Sequence, residues 1–131
     1  MFNKKKQPPI RSLIAEGSQI EGTLHFSDGL RVDGRVVGDV NANTDKPSIL
    51  VISETASVIG AIHADHVIIN GTVQGPVFAR LMLELQPKAH IEGDIHYSAL
   101  EMHQGAIIAG QMRPVDVVDE KPTLKLAANN Q

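Results

Sequence analysis

The 131-residue sequence contains no cysteine and no tryptophan, a single tyrosine and three phenylalanines. Without cysteine there is no disulfide, no thiolate zinc site and no thiol nucleophile, which fits a reducing compartment. No apolar run approaches the ~20 residues a spanning helix needs, and no apolar signal-peptide segment follows the first lysines. The chain therefore reads as soluble and not exported. A broad basic surface is missing too. Lys4, Lys5, Lys6 and Arg11 give residues 1–13 four positive charges and no acid, whereas residues 14–113 carry six Lys or Arg against twelve Asp or Glu. That acidic middle argues against a nucleic-acid partner. No phosphate loop, Ser/His/Asp order or paired-carboxylate spacing stands out, so neither a nucleotide nor another cofactor is expected, and a spacing such as Gly34 to Gly38 belongs to a structural repeat.

What the chain has is 25 Val and Ile, small branched residues that favour strands and thin layers over a bulky core. They recur in register. Leu50-x-Ile52-x-x-x-Ala56-x-Val58-x-Gly60 matches Leu83-x-Leu85-x-x-x-Ala89-x-Ile91-x-Gly93 and Leu100-x-Met102-x-x-x-Ala106-x-Ile108-x-Gly110. A weaker copy with Ile14, Ser18 and Ile20 ends at Gly22, while Val36-x-Gly38-x-Val40 and Val73-x-Gly75-x-Val77 keep only the last part. The glycines Gly22, Gly38, Gly60, Gly75, Gly93 and Gly110 lie 16, 22, 15, 18 and 17 residues apart, and the long interval holds four extra residues, Asn43 to Lys46.

Within each period the apolar residues come in i, i+2 pairs, the spacing of strands whose alternate side chains face opposite ways. Three short strands per period, each stacking on its counterpart one period later, predict an all-β, single-stranded parallel β-helix of about six triangular coils of ~17 residues. At ~4.8 Å per coil the rod is roughly 25–30 Å long. A β-sandwich is the competing fold, but it has no reason to keep a 17-residue glycine register. The expected division is a disordered basic tail over residues 1–13, a β-helix core over 14–113 and a disordered tail over 114–131.

The repeats "GTLHF", "GAIHA" and "GDIHY" place His25, His63 and His96 at one outward position. With the intervening coils, the expected surface row is His25, Asn41, His63, Phe78, His96 and Arg113. The three histidines skip coils and so sit about 9–10 Å apart, whereas ligands of one zinc lie roughly 3–4 Å from each other. No metal is expected there; a surface for lateral or partner contacts that includes His25, His63, Phe78 and His96 is. His66, His90 and His103 read as exposed corner residues, and Glu21, Asp33, Glu92 and Asp94 as solvated acids beside corner glycines.

The register, together with "IEGTL", "VDGRVVGDV", "INGTVQGPV" and "IEGDI", resembles the bactofilins over residues 14–113. The resemblance implies a right-handed β-helix, nucleotide-independent assembly into non-polar filaments by joining β-helix ends, residence at the inner face of the cytoplasmic membrane, and recruitment of cell-wall or morphogenesis proteins. Neither tail offers an amphipathic cap for the strand edges of the terminal coils. The expected polymerisation surface is therefore Ile14, Ile20 and Leu24 at one end and Ala106, Ile108 and Met112 at the other. The start "MFNKKK" resembles the beginning of membrane-associating members and makes Met1, Phe2, Lys4, Lys5 and Lys6 the expected anionic-membrane contact. Two other classes stay open: a coiled-β enzyme, either a hexapeptide acyltransferase or a γ-type carbonic anhydrase, and a non-polymerising adaptor. Hexapeptide repeats keep strict multiples of six and anhydrase ligands lie on neighbouring coils, neither of which fits these intervals. Zinc content and electron microscopy distinguish these classes.

Overall fold

Branched residues at every second position stay extended, and here they do so in pieces of three or four residues separated by corners. The computed structural model describes residues 7–115, in which every regular element is a strand. The first coil is β1 (Ser12–Ile14), β2 (Gln19–Glu21) and β3 (Leu24–Phe26); the second is β4 (Gly29–Val32), β5 (Arg35–Val37) and β6 (Val40–Ala42). β7 (Ile49–Ile52) and β8 (Ser57–Ile59) lead into β9 (Ile62–Ile69), which runs through a corner from the third coil into the fourth. β10 (Thr72–Gln74) and β11 (Val77–Leu85) make the same join from the fourth to the fifth. β12 (His90–Glu92) and β13 (Ile95–Tyr97) complete the fifth, and β14 (Leu100–Met102), β15 (Ile107–Ala109) and β16 (Met112–Pro114) form the sixth. The coiled core thus begins at Ser12, just ahead of the expected boundary at Ile14.

The pairings are parallel and link each strand to its equivalent in the next coil. They build three faces, and the second, β2-β5-β8-β10-β12-β15, is a separate sheet. Inside, equivalent residues stack in ladders. Val36, Val58, Val73 and Ile91 follow one another up the second face with no exposed surface. Each such side chain contributes ~1.5–3 kcal/mol of burial. This β-solenoid of six coils is the architecture expected from the sequence.

The glycine register has a steric cause. Gly38, Gly60, Gly75, Gly93 and Gly110 all have φ between +146° and +155°, and a Cβ at any of them would strike the carbonyl of the glycine one coil below. The column leaves no room for a side chain.

The uneven intervals also have a cause. Between the first and second faces the chain turns by four residues in coils one, three, five and six, closed by bonds such as Ala56 N–H to the Ser53 carbonyl (3.0 Å) and Ala89 N–H to the Gln86 carbonyl (3.0 Å). In coils two and four it turns by two residues, and Gly34 and Gly71 lie against the backbone of the wider turn beneath. Wide and narrow corners alternate through the fifth coil and the sixth repeats the wide form, so two registers retain only part of the motif. Residues 43–48 form the one enlarged connection between the third and first faces among the described residues. Lys46 reaches Asp28 (3.6 Å), and Ser48 exchanges two bonds with Asp65, through its backbone N–H to Oδ2 (3.1 Å) and its Oγ from the Asp65 N–H (3.0 Å).

Two expectations fail here. His66 is buried, not an exposed corner residue, because β9 continues through the corner and pairs His66 with Ile49 below and Met82 above. Glu21 and Glu92 are exposed as expected, but Asp33 and Asp94 are not simply solvated. Asp94 Oδ1 accepts the Gln111 N–H (3.1 Å), as Asp39 Oδ1 accepts that of Ala61 (2.9 Å), so these carboxylates cap amides one coil on. Asp33 takes the Arg31 guanidinium at 2.8 Å.

Candidate functional site

A solenoid coil is satisfied only when it has a neighbour on each side. In the described residues the first and sixth coils have one neighbour, so β1, β2 and β3 at one end and β14, β15 and β16 at the other each present an unpaired edge. The apolar ladders end there too. Ile14, Ile20 and Leu24 close the ladders of the first coil, and Ala106, Ile108 and Met112 those of the sixth; all six pack on the core and stay half-buried. The structure places all six in the terminal coils. Sequence reasoning left out Leu100 and Met102, which continue the ladder of Leu83 and Leu85 on the first face; Met102 is 47% exposed. The alternation already pointed to them. At the opposite end the equivalent ladder finishes in Ser12 and Ile14, so the first coil is the more polar of the two.

The outward row on the third face is assembled as expected. His25, Asn41, His63, Phe78, His96 and Arg113 are successive partners along β3, β6, β9, β11, β13 and β16. The spacing of parallel strands is close to that of stacked rings, and the centre of the row uses it. Phe78 lies 4.4 Å from His63 and 4.6 Å from His96 between ring centroids, tilted by 6° and 11°. His63 Nδ1 meets Asn41 Oδ1 at 3.0 Å, and Arg113 pairs with Asp94 at 3.5 Å. The Phe78 ring fills the space between the two imidazoles, so they cannot share an ion. Beside it a groove of about 490 Å³ runs between the enlarged connection and Val115, walled by Ala64, Ala79 and the Asp65–Arg80 ion pair (2.7 Å).

The chemistry of the corners is modest. Hydrogen bonding from Ser53 and the Arg31 guanidinium hold the Asp33 carboxyl below its usual range, and the Gln111 amide with Arg113 does the same for Asp94. His103, expected to be merely exposed, lies between Glu84 (3.1 Å) and Glu101 (3.3 Å). The register of "LEL" on "LEM" signalled that the two glutamates would face each other. Met1, Phe2, Lys4, Lys5 and Lys6 lie outside the described residues. No helix among the described residues is long and apolar enough to cross a membrane.

No curated protein and no solved structure is significantly similar to the chain. A family model does match it: Bactofilin, described as polymer-forming cytoskeletal, over residues 12–113, from the first strand of the first coil to the last strand of the sixth. The family is structural, not enzymatic. The chain belongs to the bactofilin family.

Proposed function

We propose that this bactofilin is a cytoskeletal scaffold whose rods join end to end, without nucleotide, into non-polar filaments with the right-handed winding that family membership implies. The observation that carries the reading is the state of the two ends among the described residues: unpaired strand edges surround apolar residues that are buried at every equivalent interior position. Stacking a second copy supplies the missing neighbour and removes both costs at once. Ile14, Ile20, Leu24, Ala106, Ile108 and Met112, together with Leu100 and Met102, form the joining surfaces. The test is sedimentation and negative-stain microscopy of untagged protein without nucleotide. Ile20→Arg and Ile108→Arg leave a charge in a desolvated joint and are expected to remain in the supernatant with an unchanged β-type circular dichroism spectrum. Pelleting as complete as that of the parent would overturn the reading.

The scaffold associates with the inner face of the cytoplasmic membrane through Met1, Phe2, Lys4, Lys5 and Lys6. Each lysine near anionic lipid contributes ~1 kcal/mol and a buried Phe2 ~1.5–3 kcal/mol. One copy binds weakly, whereas a filament displaying many copies gains by multivalency. Flotation with anionic liposomes is expected to fall on deletion of residues 1–7, and equal flotation would end the membrane assignment. The row of His25, His63, Phe78 and His96, stacked from His63 to His96 and with its groove, is the surface for lateral contacts or for cell-wall and morphogenesis proteins.

A further inference from the structure

The contact between the last two coils on the first face is unlike the others. Above Val51 and Ile68 the outward ladder turns acidic, and Glu84 on β11 stands directly opposite Glu101 on β14. Like charges in that relation repel. The chain then places His103 at the same spot, its Nε2 3.1 Å from Glu84 Oε2 and 3.3 Å from Glu101 Oε2. The three donor atoms lie within 4.8 Å of one another, and no other group of three such donors occurs among the described residues.

We propose that Glu84, Glu101 and His103 bind one divalent cation of the zinc class, which fastens the sixth coil to the fifth. Three observations carry this. The donor separations at the imidazole are those of ligands around one ion: bonds of ~2.0–2.2 Å in a tetrahedron put neighbouring ligand atoms roughly 3–4 Å apart, so side-chain torsions alone complete the set. The donors stand on fixed backbone. Glu84 and Glu101 are in ladder register, and His103 donates its N–H to the Leu85 carbonyl (2.8 Å) at the start of a closed four-residue turn. Finally, the donor set selects the ion. One imidazole with two carboxylates suits zinc and its borderline neighbours, whereas calcium and magnesium prefer oxygen alone.

Gln86, which donates to Glu84 Oε2 (3.2 Å), is placed to orient that carboxylate from outside the coordination shell. Solvent reaches the site, with Glu101 55% exposed, and water completes the coordination. An imidazolium can also answer two carboxylates, but it carries one charge against two. The His90–Glu92 contact at 3.7 Å provides an internal comparison, a histidine with one carboxylate and no second.

The test uses the untagged full chain, stripped of metal, titrated with zinc chloride in a calorimeter in a non-chelating buffer at neutral pH. One zinc per chain and a higher melting temperature are expected, with calcium in excess failing to compete. His103→Gln and Glu84→Gln should each weaken binding at least ~10-fold, since removing an outer partner alone costs that much, while His90→Gln leaves it unchanged. The zinc-free spectrum of each variant establishes that it is folded, and the solvent-exposed Glu101→Gln replaces any that is not. No saturable zinc binding, or undiminished binding by folded His103→Gln, would overturn the site and leave an ion pair. Repeating the titration on Ile20→Arg, which is expected to stay unassembled and whose substitution lies at the opposite end of the rod, separates failure of the site from failure of assembly.

Discussion

The interior coils and the two terminal coils are written in one pattern and end in different states. Val58 in the third coil and Ile108 in the sixth occupy the same ladder on the second face; Val58 is sealed, whereas Ile108 is half-exposed. Residue type does not account for the difference. A coil above does, because in a one-dimensional stack each repeat is buried by its neighbours and by nothing else. The same distinction separates Gly60, packed on the Gly38 carbonyl, from Gly22, which has open space where its side chain would be.

The sharpest way to break the comparison is to put one charge at both positions of the ladder. Val58→Arg buries an unpaired guanidinium and is expected to cost about 4 kcal/mol or more, enough to unfold the rod. Ile108→Arg should melt within a few degrees of the parent and lose only assembly. Chemical denaturation followed by circular dichroism, alongside sedimentation, separates the two, and equal destabilisation would remove the distinction.

The glycine column should respond similarly on a smaller scale. Gly60→Ala meets both an unfavourable φ of +151° and the carbonyl below, and should cost about 3 kcal/mol. Gly22→Ala, at φ +119° with nothing nearby, bears the conformational cost alone, about 1 kcal/mol. Denaturation midpoints that coincide would mean that the stack yields more readily than its geometry implies.

On the third face, Phe78→Ala removes two stacked contacts and is expected to cost about 1–3 kcal/mol. His25→Ala, at the end of the same row, should cost nothing measurable. The smallest effect is electrostatic. The Asp94 carboxyl is held below its ordinary value of 3.8 chiefly by the Gln111 amide, with Arg113 adding to it. A lowered folded-state value means that its contribution is complete above the ordinary value and is lost as the pH falls below it. Thermal melts of Asp94→Asn should therefore differ slightly from the parent at neutral pH and converge with it in acid. A difference that instead widens in acid would reverse the sign of this contribution.

Much of this was legible in advance because neighbours in a solenoid are also neighbours in the register. Residues one period apart touch, so aligning "LEL" with "LEM", or "IHY" with "MRP", reads contacts directly. The row from His25 to Arg113 and the placement of Ile20 and Ile108 in terminal coils follow in that way. His66 was misplaced for the same reason: the register locates the faces but does not say whether a strand breaks at a corner, and β9 does not. Asp94 was misread because a carboxylate that caps an amide one coil away looks, in sequence, like any acid beside a glycine.

The amino-acid sequence alone determined the period, the alternation of inward and outward residues, the glycine column and the identity of the terminal ladders, since each depends only on spacing along the chain. The tertiary structure decided the placing of wide and narrow corners, the parallel ring stack at Phe78, the clasp of Ser48 by Asp65, and the meeting of Glu84, Glu101 and His103. These depend on how the chain turns at each corner and how side chains of adjacent coils orient, and both are set by packing between segments which the repeat brings together but does not itself orient.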